Sequence, residues 1–214
     1  MGEPRELERI PLPEDMPKSE WRELRRMGIG GSDAGAIMGA SRYASPLDIY
    51  ESKVNPQDDL DDSQFEIGGE SEAAFHGTHL EDYVAWCFER KTFKSVATSN
   101  DLLIYRGNGF PMTANLDRVV IGEDALLECK TGGFFAKKDW ANDGIPPAYL
   151  YQVLHYLEVT GWDTAYIAVL LGGQKFEYRT VHKSDYPLEM AMLIEAERDL
   201  WACVESETPP IEEF

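Results

Sequence analysis

Along the first 18 residues, Pro4, Pro11, Pro13 and Pro17 interrupt any periodic pattern, and the segment reads as an extended lead-in. Trp21, Leu24 and Met27 then recur at helical spacing behind Ser19, which predicts a capped helix ending at Gly28. Gly28-Ile29-Gly30-Gly31 reads as a flexible turn, and Ser32-Asp33 as the N-cap of a short Ala/Gly-rich helix from Ala34 to Met38 that stops at Gly39. Ser45-Pro46 opens another helix, with Leu47, Ile49, Tyr50 and Val54 on its apolar face. The acidic stretch from Asn55 to Gln64 reads as a solvated loop. Leu80, Tyr83, Val84, Cys87 and Phe88 define a longer helix from Thr78 to Lys91.

The period then changes. Segments 93–98, 101–106 and 112–121 carry the β-branched and aromatic content of strands, and 125–131 returns as the partner of 112–121 across a Gly122-Glu123-Asp124 turn. A loop rich in Phe, Lys and Trp leads through Pro146-Pro147 into a helix from Tyr149 to Thr160. Strands 164–171 and 174–182 form a second hairpin around Gly172-Gly173, and Ser184 or Asp185 caps a last helix running to Val204. The order predicts an α/β fold, one mixed sheet flanked by helices. It forms a single domain over 19–205, with the lead-in 1–18 before it and an acidic tail, 206–214, after it.

Composition narrows the classes. With 43% hydrophobic and 11% aromatic residues in 214, the chain can bury a sizeable core. Twenty bases against 39 acids leave a net charge of −19, which argues against coating DNA or an anionic membrane through the overall field. The acids are segregated, however, into 55–72 and 195–214, while 91–138 holds more bases than acids, so the middle of the chain is where a polyanion site would lie. Cys87, Cys129 and Cys203 show no CxxC spacing and supply neither a disulfide framework nor a zinc knuckle. No stretch approaches the roughly 20 apolar residues of a membrane span, so the expectation is a soluble protein of a reducing compartment.

The candidate chemistry sits on the hairpin 112–131. Its turn puts Asp117 within about one register step of Glu128, and Glu128 shares a face with Lys130. Two carboxylates this close repel unless a cation lies between them, and an oxygen-only cluster suits a hard divalent ion such as Mg²⁺. A lysine on the same face can activate water or stabilise charge on a phosphoryl group. A lone D…ExK spacing is common by chance, and an amphipathic hairpin produces it. Here the apolar flanks NLDRVV and LLECKT read as interior strands, where charges need partners. Glu81, near the start of the long helix, is a second carboxylate source. Tyr149, Gln152 and Tyr156 share a helical stripe. Arg25, one turn after Trp21, and Ser32, after three glycines, make a candidate phosphate pocket. His155 reads as structural, and His76, His79 and His182 offer no ligand set.

In their order these stretches resemble one family. GIGGSDAGAIMGASRYASPLDIYESK (28–53), GTHLE (77–81), NLDRVV (115–120), LLECKTG (126–132), PAYLYQVLHYLEVTG (147–161), AVLLGG (168–173) and IEAERDLW (194–201) are similar to the YqaJ-type viral recombinase nucleases, relatives of phage lambda exonuclease within the PD-(D/E)XK superfamily. The resemblance implies a restriction-endonuclease-like core and a metal-dependent deoxyribonuclease, a phage or prophage 5′→3′ exonuclease on linear double-stranded DNA in the bacterial cytoplasm. It implies Asp117 and Glu128 as ligands of Mg²⁺ (or Mn²⁺), with the Cys129 carbonyl as a further ligand and Glu81 at a second site. Lys130 would position or activate the attacking water, with Gln152 and Tyr149 in support. Arg25 and Ser32 match positions that contact the 5′-phosphate. The family further implies a toroidal trimer and a phage single-strand annealing protein as partner. The departures are Leu116 in place of the motif's proline and the strong acidity. An endonuclease of the same fold, and a non-cleaving DNA-end or protein-binding adaptor, are the alternative readings.

Overall fold

A computed structural model describes residues 5–13, 15–55 and 72–211, so most of the acidic loop expected at 55–64 lies outside the described residues. In chain order the elements are β1 (Glu8–Pro11), α1 (Lys18–Arg26), β2 (Ile29–Gly30), α2 (Gly31–Ile37), α3 (Pro46–Val54), α4 (Glu72–Thr92), β3 (Val96–Thr98), β4 (Asp101–Tyr105), β5 (Met112–Asn115), β6 (Arg118–Val120), β7 (Ala125–Gly132), α5 (Pro147–Thr160), β8 (Thr164–Leu171), β9 (Lys175–His182) and α6 (Pro187–Glu205). The α/β class stands as expected, but the strands form two sheets rather than one. A four-stranded sheet runs β1-β4-β5-β2 and a five-stranded one β3-β6-β7-β8-β9, in which β7 and β8 are parallel and the other neighbours antiparallel.

Three local expectations are corrected. The segment read as one strand over 112–121 is two, β5 in the first sheet and β6 in the second, and Leu116-Asp117 is the step between them. Gly28–Gly31 is not a flexible turn: Ile29 is fully buried and β2 pairs in parallel with Met112 and Thr113. Part of the lead-in is likewise a strand, because β1 pairs with Asp101–Ile104 of β4. The caps also differ. Ser19 lies inside α1 behind Pro17, Ser32 and Asp33 occupy the first turn of α2 behind Gly30, and α6 starts at Tyr186-Pro187, leaving Ser184 to bond Asp163. Ser45 does cap α3, in a reciprocal pair with Asp48.

The pleat of the central strands divides the core in two. Leu126, Ala165, Ile167, Val169 and Leu171 point to the side of α2, α3, α5 and α6, whereas Leu127, Tyr166, Ala168 and Leu170 meet Val84, Ala85 and Phe88 of α4 on the other. Glu128 and Lys130 share the face of Leu126, so both point toward α5. On that side α2 lies directly against α5. A Cβ on Gly31 would come within 2.2 Å of the Tyr156 ring, and one on Gly35 within 2.9 Å of Ala148. The glycines of GGSDAG therefore bring the start of α2 to the helix that faces the catalytic candidates.

Candidate active site

The β6–β7 register pairs Arg118 with Leu127, which places Asp117 opposite Glu128 one step beyond the last pair. Asp117 does not continue the ladder. Its Oδ2 accepts the Cys129 backbone N–H at 2.7 Å, so the carboxylate is fixed by β7 at the point where the chain passes between sheets. Glu128 is 2% exposed; its Oε1 accepts from Gln152 Nε2 at 2.7 Å and lies 2.7 Å from Lys130 Nζ. Glu128 Oε2 is buried without a hydrogen-bond partner among the described residues. Gln152 in turn accepts from Lys130 Nζ at 2.9 Å, and its amide also reaches the Tyr156 hydroxyl at 3.2 Å. Lys130 Nζ stands 4.8 Å over the Tyr149 ring. The stripe read on α5 thus meets the face read on β7, and Asp117, Glu128, Lys130, Gln152 and Tyr149 form one cluster.

Electrostatics follow from burial. Burial, with the Glu128 charge beside it, pushes the Asp117 carboxyl up to about 7 against the pull of Lys130 and the Cys129 N–H. Burial alone would discharge Lys130, but Glu128 and Asp117 outweigh it and hold the ammonium charged. Burial and the two acids push the Cys129 thiol up and leave it inert. Glu81 sits close enough for the Asp117 charge to add to burial in raising its carboxyl, but it is ion-paired to Arg118, which also donates to the Asp117 carbonyl and to Asp82, each at 2.5 Å.

The donor set fits a hard divalent cation. An orphaned buried carboxylate oxygen, beside a carboxyl pushed up by burial and by its neighbour's charge, suits a site built for positive charge. Among the described residues no three His, Cys, Asp or Glu side chains converge as a metal cage. Mg²⁺ does not require one, since it takes one or two carboxylates and keeps waters.

Lys130, Gln152 and Tyr149 line a cleft of about 750 Å³ that extends to Ser32 on α2 and is edged by Arg42 and Lys138. At its α2 end Arg25 Nη2 donates to Ser32 Oγ at 2.9 Å and to Asp33 Oδ1 at 3.1 Å. The two residues proposed for phosphate binding are therefore in contact with each other; Ser32 opens on the same cleft as the lysine, while Arg25 lines a second cavity, of about 680 Å³, with Asp33 and Lys53. Sequence reading missed Lys53, whose buried ammonium lies 2.7 Å from Asp33 Oδ2. A signal existed: Lys53 continues the Ile49–Tyr50 stripe at i+4 and i+3 and so falls on the buried face of α3. His155 is structural, fully buried between Glu197 Oε1 at 2.7 Å and the Thr113 carbonyl at 3.0 Å.

Comparison with known proteins gives the fold and the family. The fold is shared with the alkaline exonuclease LHK-Exo of Laribacter hongkongensis, with a TM-score of 0.64 and 16% identity over 88% of this chain and 95% of that one. The same enzyme in complex with dAMP gives a TM-score of 0.66, covering 88% and 93%. A phage-related exonuclease of Haemophilus somnus 129PT gives 0.53 at 12% identity, covering 87% and 99%. In sequence, the Bacillus subtilis (strain 168) protein YqaJ is 39% identical over 189 residues, 87% of this chain, which spans 56% of that relative's length. Residues 20–163 match the YqaJ-like viral recombinase domain, and the chain belongs to that family.

Proposed function

We propose that this protein is a Mg²⁺-dependent DNA exonuclease that digests linear double-stranded DNA 5′→3′. The observation that carries the reading is the buried Asp117–Glu128 pair, which keeps one oxygen unpartnered among the described residues beside a charged, cleft-lining lysine held by Gln152. Asp117 and Glu128, with the Cys129 carbonyl and with Glu81 for a second ion, would hold Mg²⁺ or Mn²⁺, which supplies Lewis acidity to the phosphodiester and stabilises the leaving 3′-oxygen. Lys130 orients the attacking water and offers its protons to a non-bridging phosphate oxygen. Gln152 holds both Lys130 and Glu128 and so fixes the 2.7 Å ion pair between them. Tyr149 covers the lysine from the cleft side. Arg25 and Ser32 receive the 5′-terminal phosphate and so set the polarity. The family's recombinase character supports a role in single-strand-annealing recombination in a phage or prophage context. A toroidal homo-trimer and an annealing protein as partner belong to the same reading, as does action in the bacterial cytoplasm. No helix among the described residues is long and apolar enough to cross a membrane.

The test is a linear duplex with one 5′-phosphorylated and one 5′-hydroxyl end, each strand labelled, incubated with Mg²⁺. Faster loss of the phosphorylated strand from its 5′ end is expected. Cutting of closed circular DNA at the same rate would replace the exonuclease with an endonuclease. No cutting in Mg²⁺ or Mn²⁺ would leave a binding adaptor.

A further inference from the structure

The Arg25–Ser32 contact rests on two buried charges behind it. Asp33 and Lys53 each have a side chain only 3% exposed, and they meet at 2.7 Å. Asp33 is saturated: Oδ1 accepts from Arg25 at 3.1 Å, and Oδ2 accepts from Lys53 and from the Gly30 backbone N–H at 2.9 Å. Lys53 also donates to the Arg25 carbonyl at 2.8 Å, in the last turn of α1, where helix carbonyls lack intrahelical partners. One ammonium thus ties the end of α1, the start of α2 and the end of α3 together. Arg25 is 46% exposed at its side chain and, among the described residues, is bonded only through Nη2. It is gripped on one side and presents the rest of its guanidinium to the solvent.

We infer that Asp33 and Lys53 are positioning residues for recognition of a terminal phosphate: they aim Arg25 and Ser32 without touching the ligand. This rests on the phosphate-pocket reading above. The charges favour it over a purely structural role. A buried ion pair contributes little net stability compared with apolar residues of the same volume, yet here its carboxylate is shared with the exposed arginine that holds Ser32. With Arg25, Asp33 and Lys53 counted together the cluster carries one net positive charge. Removing Lys53 leaves it neutral and releases the α1 carbonyl, so both the attraction for a phosphate and the aim of the guanidinium are lost.

The test uses the full-length protein and fluorescence anisotropy with short duplexes that differ only in a 5′-phosphate or a 5′-hydroxyl, in EDTA so that cleavage plays no part. Lys53→Met should lower the preference for the phosphorylated end by about tenfold, through charge and aim together, and Asp33→Asn should lower it through lost aim despite the added positive charge, with affinity for the hydroxyl end within about twofold of wild type. Asp33→Asn leaves the buried Lys53 ammonium without its counter-ion, and Lys53→Met leaves Asp33 with Arg25 as its one cation among the described residues, so each single variant loses stability. The double variant Asp33→Asn/Lys53→Met removes both charges, so its Tm should recover while its phosphate preference stays lost. A folded double variant that keeps the wild-type preference overturns the inference. If the wild type binds both ends equally, the pocket itself is wrong and the inference falls with it, whereas a wild type that discriminates but does not cleave refutes only the nuclease chemistry. Under Mg²⁺, a loss expressed in KM for phosphorylated ends, with kcat kept, is the matching kinetic signature.

Discussion

Gln152 donates to Glu128 Oε1 at 2.7 Å while the other oxygen of that carboxylate stays buried and unpartnered. The amide and the Lys130 ammonium thus satisfy one oxygen of the acid, and the other has no partner among the described residues. Glu128→Gln should therefore abolish cleavage, by about 10³-fold or more, without unfolding the chain. It relieves the repulsion on Asp117, and Lys130 keeps Gln152 as partner. Thermal melts without metal should show a Tm equal to or above wild type, and the Mg²⁺-induced rise in Tm should disappear. A variant that still gains stability from Mg²⁺ would show the ion binding elsewhere.

Asp117 sets a pH dependence. Its folded-state carboxyl stands at about 7, above its ordinary value of 3.8, because of burial and then the Glu128 charge. A raised carboxyl contributes stability that is complete below the unfolded value and is lost as pH rises through the folded one. The metal-free protein should lose that contribution between about pH 4 and pH 7, and a bound cation should restore it by favouring the ionised form. Differential scanning fluorimetry should show the Mg²⁺-induced rise in Tm growing from pH 5.5 to pH 8. A rise that is flat with pH would place the cation away from Asp117.

Gln152 links the strand to the helix and touches both charged partners. Gln152→Ala should leave the fold intact and lower kcat by about 10- to 100-fold, since Lys130 loses the hydrogen bond that fixes its Nζ. Single-turnover kinetics separates this from a binding defect, which would appear in KM.

His155 gives the opposite expectation. Glu197 is fully buried with His155 as its partner and, among the described residues, one oxygen unpaired, so His155→Ala strands a carboxylate in the core. The cost should be about 3–5 kcal/mol, a fall in Tm of roughly 6–20 °C. Residual folded protein at low temperature should cleave at a rate within a few-fold of wild type, which a catalytic histidine would not allow.

The candidate cluster was legible because its parts obey short-range rules. The β-strand period of two puts Glu128 and Lys130 on one face, and the helical i, i+3 spacing puts Tyr149 and Gln152 on another. What spacing cannot state is that the two faces meet, which follows from α5 crossing over β7 on the Leu126 side of the sheet. The division of 112–121 was not legible. Asn115-Leu116-Asp117 has no glycine or proline to mark a break, and alternation continues through it, so only the pairing partners reveal two sheets. The strand at Ile29–Gly30 was hidden because glycines on both sides read as a turn. Those glycines serve close packing instead: a Cβ on Gly28 would lie 2.6 Å from the Pro111 carbonyl oxygen. Lys53 resembled an ordinary cation in the last turn of a helix. Its role depends on Asp33, twenty residues away in sequence and beyond the reach of any local rule.

The central claim is that Asp117, Glu128 and Lys130 cleave phosphodiesters from a DNA end, and its most direct measurement is nucleotide release from a 5′-phosphorylated linear duplex in Mg²⁺. Wild type and Lys130→Ala would be compared, with a closed circular duplex as control. The account predicts mononucleotides accumulating from the 5′ end with wild type, release reduced by about 10³-fold or more with Lys130→Ala, and an intact circle. Equal release by the two proteins would contradict it, as would a wild type that leaves the linear duplex whole.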